Sequence, residues 1–159
     1  MKDYIKNTYG GKTRVRVCGI CIKNDSILLV NHKGLSRDSF WSPPGGGLNY
    51  LEDSESALKR EFLEETGLTI KVKRLLFVNE HLSEPLHAIE LFFEVEIISG
   101  ELRIGFDPEH SNNEQIISDV EFVTFKKLSI ISDEEKHKVL QNVINKESLL
   151  NMRGYFHFS

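Results

Sequence analysis

The chain has 159 residues, 40% of them hydrophobic and 28% charged, which predicts a single domain over residues 1–159 with a sizeable core. Its apolar runs are too short to cross a bilayer, and MKDYIKNTYGGKTR lacks the apolar stretch of a signal peptide, so a cytoplasmic location is expected. A net charge of -4 argues against a general nucleic-acid coat, although residues 1–37 carry eight Lys or Arg against two Asp, a basic third that suits either an anionic substrate or a solvated surface.

Arg14 to Ile22 and Ile27 to Asn31 are β-branched and apolar, and Lys23-Asn24-Asp25-Ser26 between them predicts a hairpin. Cys18 and Cys21 nominally form a CxxC. A strand sends them to opposite faces, about 10 Å apart, so buried thiols fit better than a disulfide or a shared metal. After the polar loop HKGLSRDSF comes WSPPGGGLNYLED, whose prolines and glycines predict an ordered turn without regular structure. Asp53 or Ser54 then caps a helix, Glu55 suits its first turn, Leu58 and Phe62 form its apolar stripe, and Gly67 ends it.

Leu68 to Val78 and Ala88 to Ile98 read as strands, with a hairpin turn at Ser99-Gly100. GFDPEHSNNEQIISD is a long polar loop of the kind that is functional or disordered. Glu121 to Phe125 is the last clear strand. Ser132-Asp-Glu-Glu135 has capping-box spacing ahead of a helix that turns Val139, Leu140, Val143 and Ile144 inward. Strands, one central helix, more strands and a final helix predict a mixed α/β/α sandwich.

The segment REFLEETGL, residues 60–68, places Glu61, Glu64 and Glu65 on one helix face beside the negative end of the helix dipole. Each clash costs a few tenths of a kcal/mol. A solvated acidic face has the same composition. Carboxylates are also hard oxygen donors, and a divalent cation turns their repulsion into attraction.

Read together, GGLNYLEDSESALKREFLEETGL (residues 46–68) fits GX5EX7REUXEEXGU at every fixed position and resembles the Nudix box of the Nudix hydrolases. Asn49 and Leu51 stand where Glu and Gly are common in the family, at variable positions of the signature. The resemblance implies a Nudix-type α/β/α sandwich with a mixed sheet and a central loop-helix motif. It implies magnesium or manganese on Glu61, Glu64 and Glu65, with the Gly45 carbonyl as a further ligand; a structural Pro-Gly turn is the alternative for that glycine. Glu52 is expected to pair with Arg60 and fix the loop against the helix, and Gly46 to let phosphate come close. Glu64 is the candidate base, or Glu114 from the later loop, where the family often places an acid as metal ligand or base, with Glu109 and Glu121 behind it; a surface glutamate is the alternative for each of these three.

Lys33 and Arg37 are candidates for phosphate contact, against a solvated-loop reading. Trp41 fits core packing better than base stacking, and His81 and His87 flank a loop that could reach the site mouth or be incidental. The reaction implied is hydrolysis of a nucleoside diphosphate linked to another moiety, such as ADP-ribose or another nucleotide sugar. A nucleoside triphosphate pyrophosphatase and a nucleotide-sensing module without turnover are the rivals. The expected partner is a small-molecule nucleotide, with no DNA, RNA or membrane; many relatives are dimers, which leaves a homodimer open.

Overall fold

The computed structural model describes residues 6–7, 10–33, 38–105 and 116–158. Strand β1 (Thr13–Lys23) turns back through Asn24, at φ 55°, into β2 (Ser26–His32), pairing only Ile22 with Ile27 and Lys23 with Ser26. Strand β4 (Gly45–Gly47) pairs antiparallel with residues 16–18 of β1, and β6 (Leu86–Gly100) pairs parallel with its residues 13–21 on the other side. Strand β5 (Leu68–Ser83) pairs with β6, and β8 (Gly154–Phe156) with β5. Strands β3 (Phe40–Ser42) and β7 (Ile117–Thr124) both pair antiparallel with β2. Together they make one 8-stranded mixed sheet.

Alternation along β1 sorts the core onto two faces. Val17 and Cys21 pack with Ala57, Leu58 and Phe62 of helix α1 (Ser54–Thr66). Cys18 and Ile20 pack on the other side with Phe125 and Leu128 of α2 (Phe125–Ile130) and Leu149 of α3 (Lys146–Leu150). Helices therefore cover both faces, as the α/β/α reading requires. The two cysteines are buried in separate clusters, and burial raises both thiols, that of Cys21 to about 11. Neither is a thiolate at neutral pH.

Helix α1 starts where Asp53 accepts hydrogen bonds from the Glu55 and Ser56 N–H groups, both at 3.0 Å. It ends at Gly67, in the left-handed region at φ 72°. A Cβ on Gly19 of β1 would lie 2.3 Å from the Phe62 ring, so a strand glycine lets the helix settle onto the sheet. Residues 101–105 then close the helix end, since the Arg103 and Gly105 N–H groups donate to the Thr66 and Glu65 carbonyls.

Several expectations need correction. WSPPGGG holds two short strands, because β1 and β2 offer backbone partners that require no side chain. Ser99-Gly100 is no hairpin turn: Gly100 pairs with Leu68, and a Cβ on it would meet the Gly67 carbonyl at 2.4 Å. The last long strand begins earlier, at Ile117, and Phe125 opens α2 after the Thr124 cap. The helix expected after Ser132 is replaced by 3-10 turns at Asp133–Glu135 and Lys138–Leu140. Ser132 Oγ bonds the Glu135 carboxylate and makes no cap to a backbone N–H. Lys136 Nζ binds the Leu128 and Ile131 carbonyls, and the His137 N–H binds the Trp41 carbonyl, which together hold this segment extended. Val139, Leu140 and Val143 are buried as expected, whereas Ile144 is 79% exposed.

Candidate active site

The site forms where the outer edge of β4 meets α1. Strand β4 turns one edge toward β1, pairing Gly46 with Val17. On its outer edge the Gly45 N–H donates to Glu65 Oε2 at 2.8 Å, and the Gly47 carbonyl accepts from Arg60 Nη2 at 3.2 Å. Gly45 has φ 152°, and a Cβ there would lie 2.0 Å from the Val17 carbonyl oxygen. A Cβ on Gly46 would lie 2.3 Å from Glu61 Oε1. The glycines thus bring bare backbone against two carboxylates.

Arg60 organises the acids. Its Nε and Nη2 donate to Glu52 at 2.8 and 2.9 Å, a two-pronged pair, while Nη1 donates to Glu61 at 2.8 Å and to Glu64 at 3.2 Å. Glu52 also accepts from the Asn49 N–H, closing the loop onto the helix. These bonds, Arg60 foremost, hold the Glu52 carboxyl down at about 2. The expected Glu52–Arg60 pairing is therefore present. Leu51, between Asn49 and Glu52, sits at φ 65° and is 89% exposed.

Glu61 is in the opposite condition. Burial and then the neighbouring Glu65 charge push it up to about 7, against the pull of Arg60. Glu65 is more buried still, and His32 Nε2 at the end of β2 lies 3.8 Å from its Oε1. Among the described residues no group of three His, Cys, Asp or Glu side chains converges as a ready cation cage. Glu61 and Glu64 are turned to Arg60, and Glu65 to Gly45. In donor chemistry the set nevertheless fits a hard divalent cation: three carboxylates share one helix face, and burial together with a neighbouring charge makes one of them costly to ionise unless more positive charge arrives.

Of the remaining candidates, Lys33 is exposed at the end of β2, its N–H bonded to the Ile116 carbonyl. Trp41 is buried in the core. His87 is tied to Glu80 and Thr13, His81 is half-buried on β5, and Glu121 pairs with Lys127. Arg37, Glu109 and Glu114 lie outside the described residues. Sequence reasoning passed over His32, Arg14 and Arg16. The two arginines were detectable, because their spacing puts both on one face of β1, and Arg14 Nη2 lies 2.9 Å from where a Gly47 Cβ would be.

Residues 12–144 match the family model of the NUDIX domain. An ADP-ribose pyrophosphatase of Methanocaldococcus jannaschii is 38% identical over 99 residues, 61% of this chain and 59% of that protein. An RNA pyrophosphohydrolase of Haemophilus influenzae is 39% identical over 62 residues, 39% of this chain and 30% of its own. The matched stretch thus spans less than two thirds of either relative's length. Among solved structures, an ADP-ribose pyrophosphatase from Streptococcus suis 89-1591 shares the fold with a TM-score of 0.62 at 17% identity, over 90% of this chain and 98% of that one. No helix among the described residues is long and apolar enough to cross a membrane. With the family match running from β1 past the 3-10 turns, and the loop-helix motif built as its signature requires, the chain belongs to the Nudix hydrolase family.

Proposed function

We propose that this chain is a metal-dependent cytoplasmic hydrolase that cleaves the diphosphate bond of a nucleoside diphosphate linked to a second group, with ADP-ribose or another nucleotide sugar as substrate. One observation carries the reading: Glu61, held near neutrality beside Glu65, lies against the bare backbone of Gly46. Carboxylates and phosphoryl oxygens that meet at such an edge both need positive charge between them. The similarity to an ADP-ribose pyrophosphatase supports the substrate class.

In this reading Glu61, Glu64, Glu65 and the Gly45 carbonyl hold magnesium or manganese. The bound cation supplies charge neutralisation at the phosphoryl oxygens and a more acidic water. Arg60, fixed by Glu52, sets the helix against the loop. Gly46 gives a phosphate room to approach, and Lys33 and Arg37 contact phosphate from the loop ahead of the box. Glu64 accepts the proton of the attacking water on its carboxylate, because it is the most exposed of the three acids, at 27% against 12% for Glu61 and 9% for Glu65. Glu114 is the alternative base. Water adds across the P–O–P bridge and releases two phosphomonoesters, which from ADP-ribose are AMP and ribose 5-phosphate.

The test incubates the protein with magnesium or manganese and a panel of ADP-ribose, nucleotide sugars, nucleoside triphosphates, dinucleoside polyphosphates and a 5′-triphosphorylated RNA. The RNA is included because of the RNA pyrophosphohydrolase similarity. Selective, metal-dependent cleavage of ADP-ribose or a nucleotide sugar, lost in Glu64→Gln and Glu65→Gln, is the expected result. Preference for a triphosphate or for RNA refutes the substrate class. Tight binding of a panel member without turnover refutes the enzyme.

A further inference from the structure

Of the arginines that border the glycine strand, Arg60 and Arg16 are in opposite states. Arg60 donates five hydrogen bonds and its guanidinium is fully occupied. Arg16 lies on β1 at the position paired with Gly47 and, on its other side, with Glu90 of β6. Among the described residues its guanidinium donates no hydrogen bond. Glu90 Oε1 is 3.9 Å from its Nε, beyond hydrogen-bond reach. That Nε is shielded from solvent and has no partner, although 33% of the side chain is exposed.

Glu90 is itself firmly held. It is 5% exposed, accepts from Asn79 Nδ2 at 2.9 Å and lies 3.1 Å from His137 Nε2. A buried carboxylate with these partners anchors the cation beside it without satisfying its donors. Arg16 also lies within electrostatic reach of Glu65 and Glu61. A shielded Nε–H with an unmade hydrogen bond is costly unless a ligand supplies the acceptor. Its planar fork matches phosphate oxygens. The residue facing it on β4 is a glycine, so no β4 side chain blocks the approach, and Arg14 Nη2, 2.9 Å from where a Gly47 Cβ would be, adds a second cation there.

From this geometry we propose that Arg16 is a substrate-binding residue that grips a phosphate of the diphosphate from the β1 side of the glycine strand, with Glu90 as its positioning residue. The inference rests on the functional reading above, and its test is arranged so that the two can fail separately. Wild type, Arg16→Ala, Arg16→Lys and Glu90→Gln are titrated with ADP and with inorganic pyrophosphate in magnesium by calorimetry. Thermal melts are recorded alongside, with steady-state kinetics on whichever panel substrate is cleaved.

Arg16→Ala is expected to weaken ADP about 10- to 100-fold, the loss of a charge-assisted pair, and to raise KM more than it lowers kcat. Arg16→Lys restores part of the affinity, and Glu90→Gln weakens it by a smaller factor with the fold intact. If Arg16→Ala does not fold, Arg16→Lys decides, through an affinity loss of at least about threefold, since it keeps the charge but not the fork. Unchanged affinity in a folded Arg16 variant overturns the inference even if the wild type hydrolyses its substrate. So does a change confined to the melting temperature, which assigns Arg16 a structural role. A wild type that binds ADP through Arg16 but cleaves nothing defeats the hydrolase and leaves the phosphate site standing. Failure of the wild type to bind either probe overturns both.

Discussion

Replacing Glu61 with glutamine should make the metal-free protein more stable, and only above a defined pH. The Glu61 side chain is 12% exposed, and burial and Glu65 move its pKa from 4.5 to about 7. Folded protein therefore keeps a proton on Glu61 that the unfolded chain releases, so stability is fully present below about 4.5 and falls as pH rises to about 7. The gap converts to roughly 3 kcal/mol at pH 8. Glu61→Gln keeps an acceptor for Arg60 and has no charge to bury. Thermal melts in a chelator from pH 4.5 to 8.5 should give matching curves at the acid end. At pH 8 the variant should melt up to about 10 °C higher, at 2–4 °C per kcal/mol for a chain this size. Burial lowers His81, which adds stability of the opposite sign above its ordinary value of 6.5, but it does so equally in both proteins and drops out of the difference. Added magnesium should stabilise the wild type at pH 8 and not the variant. A difference that stays flat with pH, or a variant less stable at pH 8, refutes the argument that Glu61 carries a buried, uncompensated charge.

Arg60→Ala strands Glu52 and Glu61 without their shared donor and should cost about 2–3 kcal/mol in urea unfolding; Arg60→Lys should recover little, having no fork. Gly46→Ala should fold within about 1 kcal/mol of wild type, because the Glu61 carboxylate can swing away from the new Cβ, but kcat should fall at least tenfold. Leu51→Gly relieves a left-handed leucine that is almost fully solvated and should raise stability by up to about 1 kcal/mol. Val143→Ala should cost about 1–2 kcal/mol and Ile144→Ala under about 0.5, since only the first is buried.

Features encoded by neighbouring residues were legible in the sequence. Asp53 capping α1, Gly67 ending it, and Cys18 and Cys21 on opposite faces all follow from periodicity and cap chemistry, and each is present. Features set by distant partners were not. The glycines of WSPPGGG pair as a strand because β1 lies beside them, which nothing within residues 41–47 announces. Ser132-Asp-Glu-Glu135 has the residues of a capping box, yet Lys136 and His137 reach α2 and β3 and hold the chain away from a helix. Local propensity lost to tertiary hydrogen bonds there.

The site divides along the same line. Glu52, Arg60, Glu61, Glu64 and Glu65 were legible because the constraint runs through one loop and one helix, where fixed spacing places side chains reliably. Their individual states were not. Three glutamates of identical composition differ through contacts from elsewhere in the chain: Glu65 meets the Gly45 N–H and lies near His32, Glu61 rests on Gly46, and Glu64 stays the most open to solvent. Arg14 and Arg16 could be placed on one face of β1 from their spacing, but not assigned to the site. Two alternate arginines in a strand read as a solvated edge until β4 arrives beside them with no side chains. A glycine strand makes the arginines opposite it matter, so the triple glycine belongs as much to the chemistry of β1 as to the loop that carries it.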